Sequence, residues 1–252
     1  MELDKKTISV LIPSLNEQNG IKKTIMSIPC HTLQNLGYDV EILVIDGGST
    51  DFTREMALEM GAKVILESRK GYGRAYKTGF NNAKGNILVT LDADGTYPAE
   101  NIPSYVKKLD ENELDFITIN RFGKLENGAM SSVHKIGNKI LSLSMRLLYA
   151  VNVKDSQSGM WIMRRSFVDK IRLNSDDMSL SEEIKIIAFK YFKSIEIDGN
   201  YFKRVGEAKL DTILHGWRNL RYLFEFVENT ELALLPTAAD AEPLPTIQKQ
   251  VV

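Results

Sequence analysis

The sequence predicts an α/β fold, a doubly wound and mostly parallel sheet flanked by helices, and three observations carry that expectation. Five short runs, "TISVLIP" (7–13), "VEILVID" (40–46), "KVILE" (63–67), "NILVTLD" (86–92) and "DFITIN" (115–120), are β-branched and almost continuously apolar. Continuous apolarity means that both faces of a strand are covered, as in a parallel sheet between helix layers. Helical spacing fills the intervals at 17–28, 51–60, 73–84 and 98–110, which gives strand–helix alternation. Lastly, a polar cluster follows each strand: "PSLNE", "DGGSTD", "ESRKGYGRA", "DADGTYP" and "NRFGK". Doubly wound sheets bind ligands beyond the carboxyl ends of their strands, so these clusters mark a site.

Each element has a local reason. Ser49, Thr50 and Asp51 offer cap residues for the second helix, and Gly61 stops it. Beyond residue 120 the pattern changes to two long amphipathic helices, 131–151 and 210–228, with a strand-like "SGMWIMRR" and a short "SIEIDGNYFKRVG" between them. A single domain is expected over 1–228, with a ligand-binding half at 7–120 and a second half at 121–228. Residues 229–252 hold three of the seven prolines and read as a flexible tail without catalytic content.

Composition narrows the function. The chain of 252 residues is 43% hydrophobic and 26% charged, an ordinary balance for a globular protein with a sizeable core. Its net charge of −1 provides no global field for nucleic acid, so nucleic-acid partners are not expected. The single cysteine, Cys30, excludes an internal disulfide and fits a reducing compartment. No apolar run approaches the ~20 residues of a spanning helix, and the start shows no signal-peptide pattern.

The densest chemistry lies in "LDADGTYP" (91–98), where an apolar strand runs into Asp92 and Asp94. Residues two apart on an extended segment point the same way, so both carboxylates can face one point above the sheet edge. Mg²⁺ or Mn²⁺ favours oxygen ligands and shares its sphere between carboxylates and substrate phosphates. An ordinary solvated turn is the competing reading. "DGGSTD" lacks the lysine of a Walker loop, and "GYGRAYKTG" lacks the third glycine of a dinucleotide fingerprint. Asp46, at a strand end, would accept hydrogen bonds from a base or ribose, or would cap the turn that follows.

"IPSLNE", "VIDGGSTD", "KGYGRAYKTGF", "LDADGTYP", "NRFGK", "DSQSGMWIMRR" and "RVGEAKL" follow one another in the order seen in family 2 inverting glycosyltransferases of the GT-A fold. Over roughly residues 7 to 212 the chain resembles the dolichyl-phosphate and polyprenyl-phosphate mannose and glucose synthases. The resemblance implies a GT-A, Rossmann-like fold and transfer of a hexose from a nucleotide sugar to a lipid phosphate, with Mg²⁺ or Mn²⁺ as cofactor; transfer to a soluble acceptor, or a nucleotide-binding domain without turnover, are the alternatives. Pro13, Leu15 and Glu17 would line the nucleobase pocket, with Asp46 beside the base or ribose and Lys70 also on the nucleotide sugar. Asp92 and Asp94 would form the D-x-D that meets the diphosphate through the metal. Arg121 would meet the acceptor phosphate, and Arg204 and Lys209 would neutralise phosphate charge. Gly95, Thr96 and Tyr97 replace the Leu-Gln-His common in mannose synthases, which shifts the expectation toward UDP-sugars and away from GDP-mannose. Gly47 lacks the second carboxylate of the commoner D-D-G-S, and Ala208 stands where serine is common.

The resemblance also implies partners. Lys135, Lys139 and Arg146 form a narrow basic stripe with Ser142 between, and Ile136, Ile140, Leu141, Leu143, Leu147 and Leu148 occupy the rest of that helix. Ile213, Trp217, Leu220, Phe224 and Val227 repeat the pattern, with Arg218 and Arg221 opposite. Such helices can lie in a lipid interface, with Lys135 toward an acceptor phosphate, or pack in the core or a homodimer. The expected place is the cytoplasm, peripheral on the cytoplasmic face of a membrane, held there directly or by an anchoring subunit. Asp155 and Gln157 would stand near sugar and acceptor. Glu182 and Glu183 read either as site residues or as a solvated helix face. The three histidines, His31, His134 and His215, read as structural, because a lipid phosphate needs no general base.

Overall fold

The computed structural model describes residues 6–206, 212–227 and 233–234. Its strands are β1 (Thr7–Ser14), β2 (Asp39–Asp46), β3 (Lys63–Leu66), β4 (Ile87–Thr90), β5 (Phe116–Leu125), β6 (Trp161–Arg164) and β7 (Ser194–Tyr201). They form one sheet in the order β3-β2-β1-β4-β6-β5-β7. β1 pairs in parallel with β2 and β4, as do β2 with β3 and β5 with β7, while β6 runs antiparallel to both its neighbours. The mostly parallel sheet expected from the five apolar runs is present.

The helices are α1 (Ile21–Ser27), α2 (Cys30–Asn35), α3 (Thr53–Glu59), α4 (Tyr72–Asn82), α5 (Ile102–Glu111), α6 (Ser132–Tyr149), α7 (Arg165–Val168), α8 (Leu180–Tyr191) and α9 (Thr212–Phe226). They cover both faces of the sheet. Val10, Ile12 and Val44 pack on one side with Ile21, Ile25, Leu33 and Ile102. Leu11, Leu43 and Ile45 pack on the other with Tyr76, Phe80, Leu141 and Ile184. Alternate residues of one strand thus enter two separate cores, which is why the strands read as unbroken apolar runs.

Several expectations are corrected. The first helix starts at Ile21 instead of 17, because residues 15–18 form a loop stitched to the one after β2. β4 ends at Thr90, so Asp92 and Asp94 sit on a turn and do not share an extended segment. On α6 the buried side is Leu141, Ser142, Met145 and Tyr149, so Ser142 leaves the basic stripe and faces the core. On α9, whose apolar pattern left lipid interface and core both open, the buried residues among those described are Asn219, Leu223 and Phe226, while Trp217 and Phe224 stand 69% and 59% exposed. Of the segment read as a tail, Ala233 and Leu234 are packed: Ala233 is buried, its carbonyl accepts the Arg172 N–H at 2.7 Å, and Leu234 bridges to Ile171. No helix among the described residues is long and apolar enough to cross a membrane.

Candidate active site

The polar strand ends converge on one edge of the sheet. The loops after β1 and β2 are tied by Asn16 N–H to Ser49 Oγ (2.8 Å), Glu17 N–H to Thr53 Oγ1 (2.8 Å) and Thr50 N–H to Asn16 Oδ1 (2.8 Å). Asp46 is fully buried, and its Oδ2 accepts the Gly48 and Ser49 N–H groups at 3.1 and 3.0 Å. Its Oδ2 thus shapes the turn, while its buried Oδ1 has no hydrogen-bond partner among the described residues. Pro13 is half-buried at the end of β1, Leu15 is 46% exposed beside Gly47, and Lys70 is exposed before α4.

The acidic turn is packed tightly from behind. A Cβ at Gly20 would lie 2.6 Å from the Ala93 carbonyl oxygen, so only glycine lets α1 begin there. Asp94 is buried, and its Oδ1 accepts Thr96 N–H at 3.2 Å and Thr96 Oγ1–H at 2.7 Å. Its Oδ2 lies 3.5 Å from Arg204 Nε, while Arg204 Nη2 donates to Glu17 Oε1 at 2.7 Å. Glu17, expected at the base pocket, is thus joined to the acidic turn through Arg204. The backbone follows: Val205 N–H donates to the Asp94 carbonyl and Phe202 N–H to that of Thr96, both at 2.9 Å.

Asp92 is only half-buried and accepts a long 3.2 Å bond from Tyr72 Oη. Burial by its surroundings, and then the Asp94 charge, push its carboxyl up to about 7. A carboxylate so poorly satisfied fits an oxygen-seeking cation. Among the described residues no cluster of three or more His, Cys, Asp or Glu side chains could hold a metal without help. Two acids with oxygens to spare therefore suit an ion whose remaining ligands come with a phosphate substrate.

Arg121 ends the regular part of β5. Its Nε and Nη2 donate to Asp155 Oδ2 and Oδ1, both at 2.8 Å, and its backbone N–H reaches Oδ2 at 3.0 Å. Its guanidinium carbon lies 5.4 Å from the ring centre of Tyr201. Burial pushes the Asp155 carboxyl up, but the charge and hydrogen bonds of Arg121 outweigh that and hold it below the usual range. Gln157 is bonded to α9, accepting Asn219 Nδ2 at 2.8 Å. Lys135 is half-buried on α6, and Lys209 lies outside the described residues. Glu182 and Glu183 are fully buried, which removes the solvated-face reading.

Sequence reasoning missed Tyr72, Tyr201 and Lys185. Tyr72 stood inside a quoted motif, but nothing in it signals a hydroxyl aimed at Asp92. A Cβ at Gly159 would meet that hydroxyl at 2.3 Å and Asp92 Oδ1 at 3.2 Å, so the glycine of "SQSGM" also keeps space open beside the acid.

The mostly parallel seven-stranded sheet between two helix layers is a GT-A-type fold, with the acidic turn and its arginines at one edge. The sequence profile described as glycosyl transferase family 2 matches residues 9–172, and the chain belongs to that family. It is 33% identical over 222 residues to the low-salt glycan biosynthesis hexosyltransferase Agl6 of Haloferax volcanii, covering 86% of this chain and 53% of that one. It is 32% identical over 212 residues to the dolichol-phosphate mannosyltransferase of Pyrococcus furiosus, covering 81% and 59%. The chain thus spans little more than half the length of these two relatives. Among solved structures it resembles glucosyl-3-phosphoglycerate synthase from Mycobacterium tuberculosis in complex with Mn²⁺, UDP-glucose and phosphoglyceric acid. That likeness has a TM-score of 0.72 at 20% identity, covers 92% and 82% of the two chains, and bears on the fold.

Proposed function

We propose that this protein transfers a hexose from a nucleotide sugar, a UDP-sugar by preference, to a dolichyl or polyprenyl phosphate at a membrane surface. The observation that carries the reading is the under-satisfied acidic turn, Asp92 and Asp94, with Arg204 and Arg121 within the same strand-end cluster. Similarity to a dolichol-phosphate mannosyltransferase supports the acceptor class. The Mn²⁺ and UDP-glucose named with the structural neighbour agree with the donor class.

Asp92 and Asp94 would hold Mg²⁺ or Mn²⁺, which when bound neutralises diphosphate charge and stabilises the leaving group. The acceptor phosphate, with a second pKa of about 6, is an anion at neutral pH. Its oxygen attacks the anomeric carbon, the bond from that carbon to the diphosphate breaks, and the nucleoside diphosphate leaves. No proton has to be removed, so no histidine is needed. The obstacle is charge: two unit charges 4 Å apart repel by roughly 4 kcal/mol at an effective dielectric of 20. Arg204 and Arg121 would offset that repulsion on the two sides of the reacting carbon.

The outer surface of the second half supports a lipid acceptor. Val133, Ile136, Ile140, Leu143 and Leu147 on α6, Trp217 and Phe224 on α9, and Val227 just after it are all exposed. α6 and α9 pack together, and Lys139, Arg146, Arg218 and Arg221 are exposed on the same two helices. Exposed apolar groups flanked by cations suit an anionic lipid surface. The test is incubation with Mn²⁺, radiolabelled UDP- or GDP-sugars and dolichyl phosphate, followed by solvent extraction. Lipid-soluble label supports the reading. Transfer only to a water-soluble phosphate would move the acceptor class, and no product with any donor would overturn it.

A further inference from the structure

The loop at 154–159 has no regular structure, yet Asp155, Ser156 and Ser158 are fully buried. Buried backbone groups must be paired, and here side chains from several directions pair them. Lys185 of α8, itself fully buried, donates from Nζ to the carbonyls of Asp155 (2.9 Å), Ser156 (2.9 Å) and Ser158 (2.8 Å). An ammonium has three donors, and all three are spent on this one stretch of backbone. From the opposite side Glu196 of β7 accepts the N–H groups of Lys154 (3.0 Å) and Asp155 (2.9 Å). Ser142 Oγ takes Ser156 N–H at 2.9 Å, and Tyr97 Oη takes Gly159 N–H at 2.7 Å.

Packing does not ask for a lysine at this position. Ile184, Ile186 and Ile187 around it are fully buried, and a leucine would fill the space without the desolvation that an ammonium incurs. What the ammonium supplies is a fixed backbone under Asp155, whose two oxygens then hold Arg121 in one orientation. The same backbone ends at Gly159, the residue beside Tyr72 and Asp92.

We infer that Lys185 is a positioning residue for the acceptor side: by clamping three carbonyls of the 155–158 loop it sets Asp155 and, through it, the Arg121 guanidinium. It makes no contact of its own with the acidic turn. The inference rests on the reading of Arg121 as the group that meets the acceptor phosphate.

The test compares wild type, Lys185→Met and Lys185→Arg in the intact chain. Hydrogen exchange of the 155–159 amides is expected to rise by about tenfold or more in Lys185→Met, with exchange in α1 and α3 unchanged. Affinity for UDP with Mn²⁺, read by calorimetry, should stay within about twofold, because the donor residues are held by other bonds. Turnover at saturating donor should fall by about 10–100-fold, the usual consequence of a misplaced charged group. Adding Arg121→Ala to Lys185→Met should then cost less than about threefold more, since both changes remove one function. Unchanged exchange at 155–159, an equal loss of UDP affinity, or full additivity with Arg121→Ala would overturn the inference. Should Lys185→Met not fold, Lys185→Arg decides by the same measurements, because it keeps the cation but cannot aim three donors at those carbonyls. A wild type that is inactive toward lipid phosphate removes the functional reading alone, while unchanged exchange removes the Lys185 clamp whatever the acceptor.

Discussion

The acidic turn after β4 and the loop before β6 lie side by side, joined by Thr90 Oγ1 donating to the Gly159 carbonyl at 2.7 Å, yet they treat charge in opposite ways. On the turn, Asp92 has a single long bond to Tyr72, and Asp94 Oδ2 has an arginine only at 3.5 Å. In the loop, Asp155 accepts three bonds of 3.0 Å or less from Arg121. The first arrangement leaves carboxylate oxygens with capacity to spare. The second is already complete, and it spends two of the Arg121 guanidinium donors on keeping the remainder pointed one way. An under-satisfied acidic turn and a fully paired ion pair are thus built from the same two residue types.

Substitutions can break this contrast. The largest effect is expected from Asp94→Ala, which should lower sugar transfer by about 10²–10³-fold or more, as loss of a central charge-stabilising group does. The radiolabel assay checks it, and unaltered metal-dependent turnover would remove Asp94 from the site. Next, Asp155→Ala should cost about 3–5 kcal/mol of stability, because Arg121 is left buried and unpaired. Asp92→Asn, measured in the same denaturant titration, should cost about 0.5 kcal/mol or less, or stabilise, since it removes a charge the fold does not satisfy. Equal losses in both variants would erase the distinction between the two regions.

Smaller effects sharpen the outer surface and the pH response. Leu147→Glu and Trp217→Glu should each weaken binding to anionic vesicles by about tenfold without shifting the melting temperature, because both side chains are exposed. Vesicle sedimentation beside a thermal melt reads both. For pH, a metal needs the ionised carboxylate, and the Asp92 carboxyl is raised to about 7. Lowering the pH from 7 to 5 should therefore weaken Mn²⁺ binding by up to about tenfold per unit, while raising it from 8 to 9 should change little.

Much of the sheet edge that carries the acidic turn was legible in the sequence. The continuous apolar runs gave the sheet, and the polar clusters after them gave its edge, because strand ends and ligand loops are local features. The turn was misjudged in one respect: Asp92 and Asp94 were read as an extension of the strand, whereas Leu91 makes the last ladder bond, to the Leu11 carbonyl at 3.0 Å, and the chain then turns at Gly95 with φ +71°. The second half was less legible for a physical reason. α6 and α9 carry apolar residues on two faces, and helical periodicity does not say which face the core covers. Leu141 and Met145 went inward, and Leu143 and Leu147 outward. Lys185 was out of reach altogether, since a lysine among isoleucines reads as a helix surface until the three carbonyls beneath it are seen.

The most direct measurement is anomalous diffraction from crystals soaked with Mn²⁺ and UDP. A manganese peak touching the carboxylate of Asp94, with the diphosphate on its far side and Arg204 turned toward it, is the expected result. UDP bound with the ion elsewhere, or with no ion at the acidic turn, would contradict it.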